Sequence, residues 1–302
     1  MYLFERYPAG LTPEQRAIMH AGITTMGAAF RHRSVSPADL ALLAAETDAV
    51  PVGSVPFVRA WAAQQGLETR LARQWPGCYP PALYKHLRRS VWSASLDEAR
   101  ALLRDRPLFV KPALFSDIKA FTGQIVSGTE PAEIMCQPSD MRVWCATPAT
   151  WVAEFRVYVT HGRVVGCARY DDGETEVAGP DLATIHRMIA DFPGGPAGYG
   201  LDVGVKPAGE TTLIEINDGW ALGFYAGCDH DAYRALLDAR WVEVREGSLR
   251  LESCLANGTL PRPTPNTGAA KAGERIVTNP ASVRAHKPAV NRQPSHADGK
   301  VH

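Results

Sequence analysis

The sequence predicts a mixed α/β (α+β) protein, and three observations carry that expectation. Helix-opening signals alternate with short apolar strands over the first third of the chain. Two pairs of alternating segments, each pair joined across a glycine-containing turn, follow in the pattern of antiparallel hairpins. Beyond about Asn257 the apolar pattern stops, and no Phe, Trp or Tyr occurs after Trp241. Together they divide the chain into an N-terminal α/β domain over 1–90, a second domain over 91–250 and a tail over 257–302.

Thr12-Pro13-Glu14-Gln15 offers an N-cap, a proline at the first helical position and a glutamine at N3, so a helix is expected to run to about Phe30. Ser36-Pro37-Ala38-Asp39 repeats that opening for a helix through about Glu46, and Val50-Pro51-Val52-Gly53 reads as a short strand and turn. A helix across Pro56–Gln65 is stopped by Gly66, with Phe57, Ala60 and Trp61 at core-packing spacing. Ser95-Leu96-Asp97-Glu98 is a second capping box, opening a helix to about Arg104. A buried strand, Leu108-Phe109-Val110-Lys111-Pro112, then ends on a lysine.

Residues 151–159 and 163–170 alternate around His161-Gly162, the signature of a tight hairpin. A helix from Pro180 to about Asp191 separates them from a second hairpin, Tyr199–Val205 with Thr211–Asn217. Asp229–Ala239 reads as the last helix and Trp241–Arg245 as a final strand. The tail from Asn257 holds seven Lys/Arg against two Asp/Glu. A segment with so little to bury cannot offset its ordering entropy, so it is expected to be disordered, offering at most weak salt-sensitive contacts to an acidic partner.

Composition excludes several classes. The formal net charge of the 302 residues is zero, so no global field points to nucleic acid or to an acidic membrane. Six cysteines stand singly with no C-x-x-C pair, which fits neither a zinc site nor a disulfide framework. The first residues lack a basic segment followed by an apolar stretch, and no run of about 18 apolar residues exists, so neither a secretory signal nor a membrane span is expected. The expected location is the cytoplasm.

The strongest chemical constellation is Asp202 with Glu215-Ile216-Asn217. Glu215 and Asn217 are two apart on one strand, so they share a face, and Asp202 lies on the partner strand. Two carboxylates and an amide oxygen make a hard-oxygen site suited to Mg²⁺, completed by water and nucleotide phosphates. An exposed polar hairpin face would look the same by spacing alone.

Leu213-Ile214-Glu215-Ile216-Asn217 after Leu201-Asp202-Val203 resembles the metal-binding end of the ATP-grasp fold. Phe109-Val110-Lys111-Pro112 resembles its strand whose lysine reaches a nucleotide phosphate, and the 154–166 hairpin resembles that of glutathione-synthetase-like members. The phrase from Glu215 to Tyr225 is most similar to a little-characterised ATP-grasp clade formerly classed as a domain of unknown function. The resemblance covers roughly 90–245 and implies a pre-ATP-grasp domain before it. It implies ATP and Mg²⁺ as cofactors, with Asp202, Glu215 and Asn217 on the metal. Lys111 and Lys119 would meet phosphate, and the adenine would lie against backbone around Trp144 and Cys145. Glu154, Arg156 and Arg169 would face the cleft, the arginines gripping phosphate or a substrate carboxylate as planar bidentate donors.

Two departures stand out. Tyr199 and Gly200 occupy the stretch where many ATP-grasp ligases carry an arginine, and Asp218-Gly219-Trp220 follows the Glu-x-Asn. Lys206, Arg156 or Arg169 would have to supply the missing positive charge. The implied activity is ligation of a small-molecule or peptide carboxylate to an amine through an acylphosphate. A phosphotransferase and a non-catalytic nucleotide-binding or interaction protein on the same fold stay open, because one fold hosts several functions, and a homodimer stays open as well.

Overall fold

The computed structural model describes residues 1–247 apart from 44, 75–77, 114–119 and 174–175. All of these lie within one unit, Met1–Leu260. Lys119 and the tail from Asn257 fall outside the described residues.

Strand β1 (Tyr2–Glu5) opens the chain and α1 (Pro13–Met26) follows. Helix α1 starts on the capping box read from the sequence, Thr12 Oγ1 accepting from the Gln15 amide at 3.3 Å and Gln15 Oε1 from the Thr12 amide at 3.2 Å. Buried Gln15 also donates through Nε2 to the carbonyls of Glu5 and Val52, tying two strand ends together. Strands β2 (His32–Val35) and β3 (Val50–Val52) flank β1 in a parallel sheet of order β2-β1-β3. The helix expected from Ser36 is instead a 3₁₀ segment, Pro37–Leu43. Ser36 Oγ donates to the Asp39 carboxylate at 2.7 Å, and the Asp39 amide bonds the carbonyl three residues back. That local alternative tightens the turn and competes with α-helix. Helices α2 (Val55–Gln64) and α3 (Glu68–Gln74) complete this part.

After the short α4 (Tyr84–Leu87) come β4 (Val91–Ser95), α5 (Leu96–Leu103), β5 (Leu108–Pro112), β6 (Gln124–Val126), α6 (Ala132–Met135) and β7 (Arg142–Ala146). The strands form an antiparallel sheet of order β4-β7-β5-β6. Strands β8 (Ala153–Thr160) and β9 (Arg163–Arg169) are the first expected hairpin. Its turn residues His161 and Gly162 have φ of 47° and 72°, the left-handed pair that a two-residue turn needs. Helix α7 (Leu182–Ala190) leads to the second hairpin, β10 (Gly198–Val205) with β11 (Thr211–Asp218), and the sheet order is β11-β10-β8-β9. Along β11, Leu213 faces Val203 while Glu215 faces Asp202, so Ile214 has no partner of its own and forms a bulge.

The last described element is α8 (His230–Glu246), which absorbs the strand expected at Trp241–Arg245. Tyr233, Leu236, Leu237, Arg240, Trp241 and Val244 are all buried, a 3.6-residue period that outlasts the short alternation of Trp241-Val242-Glu243-Val244. Gly247, at φ 67°, ends the helix. One face of the β11-β10-β8-β9 sheet is apolar, with Phe155, Val157, Leu201, Val203, Leu213 and Ile216 packed with Ile185 and Met188 of α7. The opposite face is left for polar side chains, apart from Tyr158 and Ala168, which join the core shared with α8 and the parallel sheet.

Candidate functional site

Strand register builds the site. Arg156 on β8 stands opposite Asp202 on β10, and Asp202 stands opposite Glu215 on β11. The next position on that face aligns Tyr158, Gly200 and Asn217. Directly opposed residues share a face, so Arg156, Asp202, Glu215 and Asn217 emerge together from the polar side. The bulge at Ile214 is what brings Glu215 level with Asp202.

Arg156 Nε donates to Asp202 Oδ1 at 2.8 Å and Nη2 to Oδ2 at 2.7 Å, a bidentate pair with side chains 10% and 4% exposed. Asn217 Nδ2 adds a bond to Asp202 Oδ2 at 2.9 Å. Burial works against the Arg156 charge, yet Asp202 holds the guanidinium above its ordinary pKa. Burial also pushes the Asp202 carboxyl up, and Arg156 offsets only part of that. The rings of Tyr225 and Tyr170, stacked on each other, lie 5.1 and 5.8 Å from the Arg156 guanidinium carbon.

Lys111 reaches the same cluster from β5 in the other sheet and donates to Glu215 Oε2. Burial pushes Glu215 up, but the ammonium outweighs it and holds the carboxyl below its usual value. Burial pulls Lys111 down, and Cys78, Glu215 and Tyr79 together hold it well above. Lys111 lies 4.7 Å from the Tyr79 ring, and the Ile216 amide donates to the Cys78 carbonyl at 3.0 Å. Cys78 and Tyr79 therefore run along the outer edge of β11 beside Lys111. No motif announces these two residues, since they enter through a backbone bond on a sheet edge.

The remaining expected residues divide. Glu154 lies two before Arg156 and so on the same face, opposite Gly204. Arg169 stands opposite Phe155 in the register, so it leaves from the apolar face, away from Arg156. Its guanidinium clamps Asp171 at 2.7 and 2.8 Å instead. Placing both arginines in one cleft counts strands without counting register. Lys206 pairs with Glu210 at 2.9 Å in the exposed turn. Of the three candidates for the missing charge, only Arg156 is in the cluster. Gly200 makes that possible, because a Cβ there would stand 3.4 Å from Arg156 Cδ and 2.9 Å from Leu222 Cδ1. Trp144 pairs with Lys111 across β5 and β7 and shares its face, whereas Cys145 is fully buried on the other. Strand β7 is paired on both edges, so the peptide groups of Trp144 and Cys145 are used in the sheet and are not free for a base.

Asp171 gives a pH signature for the β8–β9 hairpin end. Slight burial raises its carboxyl, but Arg169 and the amides of Glu154 and Gly173 hold it at about 2, against 3.8 ordinarily. A carboxyl depressed on folding stabilises above its unfolded pKa and stops doing so as pH falls through the folded value. The difference in melting temperature between wild type and Asp171→Asn is expected to be largest above about pH 4 and to vanish near pH 2. A pH-independent difference would refute this role.

Among the described residues no group of three or more His, Cys, Asp and Glu side chains is placed to hold a metal. The donor set is two carboxylates and one amide. That fits Mg²⁺, which takes one or two carboxylates and completes its shell with water and phosphate. With Asn217 Nδ2 turned to Asp202, its oxygen remains as the donor.

A family model for the ATP-grasp domain, family 2 of the R(2)K clade, matches residues 86–236, half of the chain. No curated protein matches. Among solved structures, the chain is similar to a RimK domain protein ATP-grasp from Sphaerobacter thermophilus DSM 20745, with a TM-score of 0.51 and 19% identity over 78% of this chain and 99% of that one. It is also similar to the D-cycloserine synthetase DcsG, with a TM-score of 0.53 and 12% identity over 82% and 99%. Such likeness speaks for the fold, and it agrees with two antiparallel sheets that put Lys111 opposite Glu215. The chain belongs to the ATP-grasp proteins, in family 2 of the R(2)K clade.

Proposed function

We propose that this protein is an ATP- and Mg²⁺-dependent ligase that joins a carboxylate to an amine. The observation that carries the reading is the convergence of Arg156, Asp202, Glu215 and Asn217 on one sheet face with Lys111 arriving from the second sheet. Asp202, Glu215 and Asn217 would hold Mg²⁺, which neutralises phosphate charge when bound. Lys111 would exchange Glu215 for a nucleotide phosphate, and Trp144 on the same face would flank the base. The side chain of Cys145 has no part in that contact. A substrate carboxylate oxygen forms a bond to the γ-phosphorus as the bond to the β-phosphate oxygen breaks, and ADP leaves. The amine then attacks the acyl carbon, phosphate departs, and the amine proton passes to solvent. Arg156 would hold the carboxylate in line, because its fork cannot turn while Asp202 grips it. One of the similar structures is a D-cycloserine synthetase, in keeping with this chemistry.

The test is incubation with ATP, Mg²⁺ and mixed amino acids, followed by mass spectrometry. ADP and a new amide, each requiring both substrates, are expected. ADP with a stable phosphorylated product would indicate phosphoryl transfer instead, and no ADP with any mixture would remove the enzymatic reading.

A further inference from the structure

The bulge at Ile214 is held from outside its own sheet. Arg89 donates through Nη1 to the Leu213 carbonyl at 3.3 Å and through Nη2 to the Ile214 carbonyl at 2.9 Å. Successive carbonyls of a regular strand point to opposite edges, so one guanidinium reaches both only where the bulge has turned them the same way. The fork therefore fits the bulged register and no unbroken one. Its orientation is fixed by Trp151, whose ring centre lies 4.8 Å from the guanidinium carbon. Trp151 is itself pinned. Its Nε1 donates to Thr212 Oγ1 at 2.9 Å, and its ring covers Gly204, where any Cβ would collide with it. Thr212 and Gly204 are paired with each other just short of the bulge. Arg89 also lies two residues before β4, where the chain enters the sheet that carries Lys111. The chain leaves that sheet at Thr147, whose amide donates to the Ser90 carbonyl at 3.0 Å and whose Oγ1 accepts from the Ser90 amide at 3.2 Å. One arginine at this root thus reaches the strand that bears Glu215 and Asn217.

We infer that Arg89 is a positioning residue for the divalent cation, holding the extra residue at Ile214 so that Glu215 stands level with Asp202. It acts through the strand and is not itself a ligand. This rests on the reading above that puts Glu215 and Asn217 on the metal, and it adds a residue outside that set. Without the fork, two carbonyls lose charge-assisted donors, and the extra residue is free to migrate along β11. Once it moves past Ile214 towards Asn217, Ile214 takes the place opposite Asp202 and the cation loses a carboxylate. A lysine keeps the charge but has no planar fork, so it holds one carbonyl at a time.

Mn²⁺ serves as the probe, its binding to the full chain with ATP read from the electron spin resonance of the free ion. Arg89→Ala is expected to raise the Mn²⁺ dissociation constant tenfold or more, with ATP affinity in the absence of metal within threefold of wild type. Arg89→Lys should fall between the two. Charge alone would act the other way, since removing a nearby positive charge tightens the binding of a cation. A merely structural arginine would lower the melting temperature of Arg89→Ala and leave its Mn²⁺ constant within twofold, a result that would overturn the proposal. Deleting Ile214 lets β11 pair straight and removes the need for the fork, so in that background Arg89→Ala should change the constant less than twofold. A full tenfold loss there would overturn it as well. Glu215→Gln controls for the underlying reading. Unchanged Mn²⁺ binding in that variant, or none in wild type, would overturn the metal assignment and the role of Arg89 together. A loss in Glu215→Gln with none in Arg89→Ala would remove Arg89 alone.

Discussion

Glu215→Ala is expected to lower ATP turnover by on the order of 10²–10³-fold, the loss typical of a group that neutralises charge in the transition state. The residue has two duties that alanine ends together. It supplies one of the two carboxylates proposed for the metal, and it is the counter-ion of Lys111, whose side chain is 13% exposed. Glu215→Gln separates them, because an amide keeps a hydrogen-bond acceptor for Lys111 but discards the charge a divalent cation needs. Both variants should fail in turnover, and the glutamine form should melt closer to wild type. Steady-state ADP release across a Mg²⁺ titration checks this. Wild-type turnover in both variants would remove Glu215 from the metal site.

Arg156→Ala should be the most destabilising single change in the cluster. It leaves the Asp202 carboxylate, 4% exposed, with Asn217 as its remaining side-chain donor among the described residues. Breaking one side of a buried ion pair costs about 3–5 kcal/mol. For a chain of this size that lowers the melting temperature by roughly 10 °C. Replacing both partners with leucine should recover most of the stability, since two apolar groups leave no charge to satisfy. The double variant should nonetheless be inactive. Denaturant midpoints measured beside ADP release test the separation. An Arg156→Ala protein as stable as wild type would mean that the pair is not buried in solution.

Much of this is legible in the sequence where a local rule has no competitor. Both hairpins are, because a glycine-containing turn between two short strand-like segments admits few other readings, and so are the capping boxes at Thr12 and Ser95. Trp241–Arg245 misleads because five residues cannot tell a period of 2 from one of 3.6, whereas the burial of Trp241 and Val244 together with Tyr233 and Leu237 can. The segment at Ser36 misleads for a subtler reason, its hydroxyl finding Asp39's side chain before a helical amide. In the site, the face shared by Glu215 and Asn217 follows from spacing. The pairing of Arg156 with Asp202 does not, since it depends on how β8 registers against β10, 46 positions away along the chain. Register likewise decides that Arg169 turns away. Glu14 is visible only as an acidic residue in a helix's first turn, where a favourable helix dipole is explanation enough. The hydrogen bond it accepts from the Phe224 amide is purely tertiary.

The unpaired residue at Ile214 sets the parity of the strand that follows it. Before the bulge, Thr212 lies opposite Gly204 and Leu213 opposite Val203; after it, Glu215 lies opposite Asp202 and Ile216 opposite Leu201. Leu213 and Ile216 are three apart yet both pack in the layer with α7, which an unbroken alternation forbids. Were Ile214 to pair with Asp202, Glu215 and Asn217 would turn under α7 and Ile216 into the cleft. Arg89 guards against that slip by donating to the carbonyls of Leu213 and Ile214 at 3.3 and 2.9 Å. The consequence is an asymmetry in what this strand tolerates. A related chain one residue shorter at this point can pair straight through and still set its glutamate against the aspartate. A chain one residue longer that keeps its single bulge turns both proposed β11 ligands away from the cleft, and one that pairs straight through returns them to the cleft face but sets the glutamate against Gly200, even with every one of them still in its sequence.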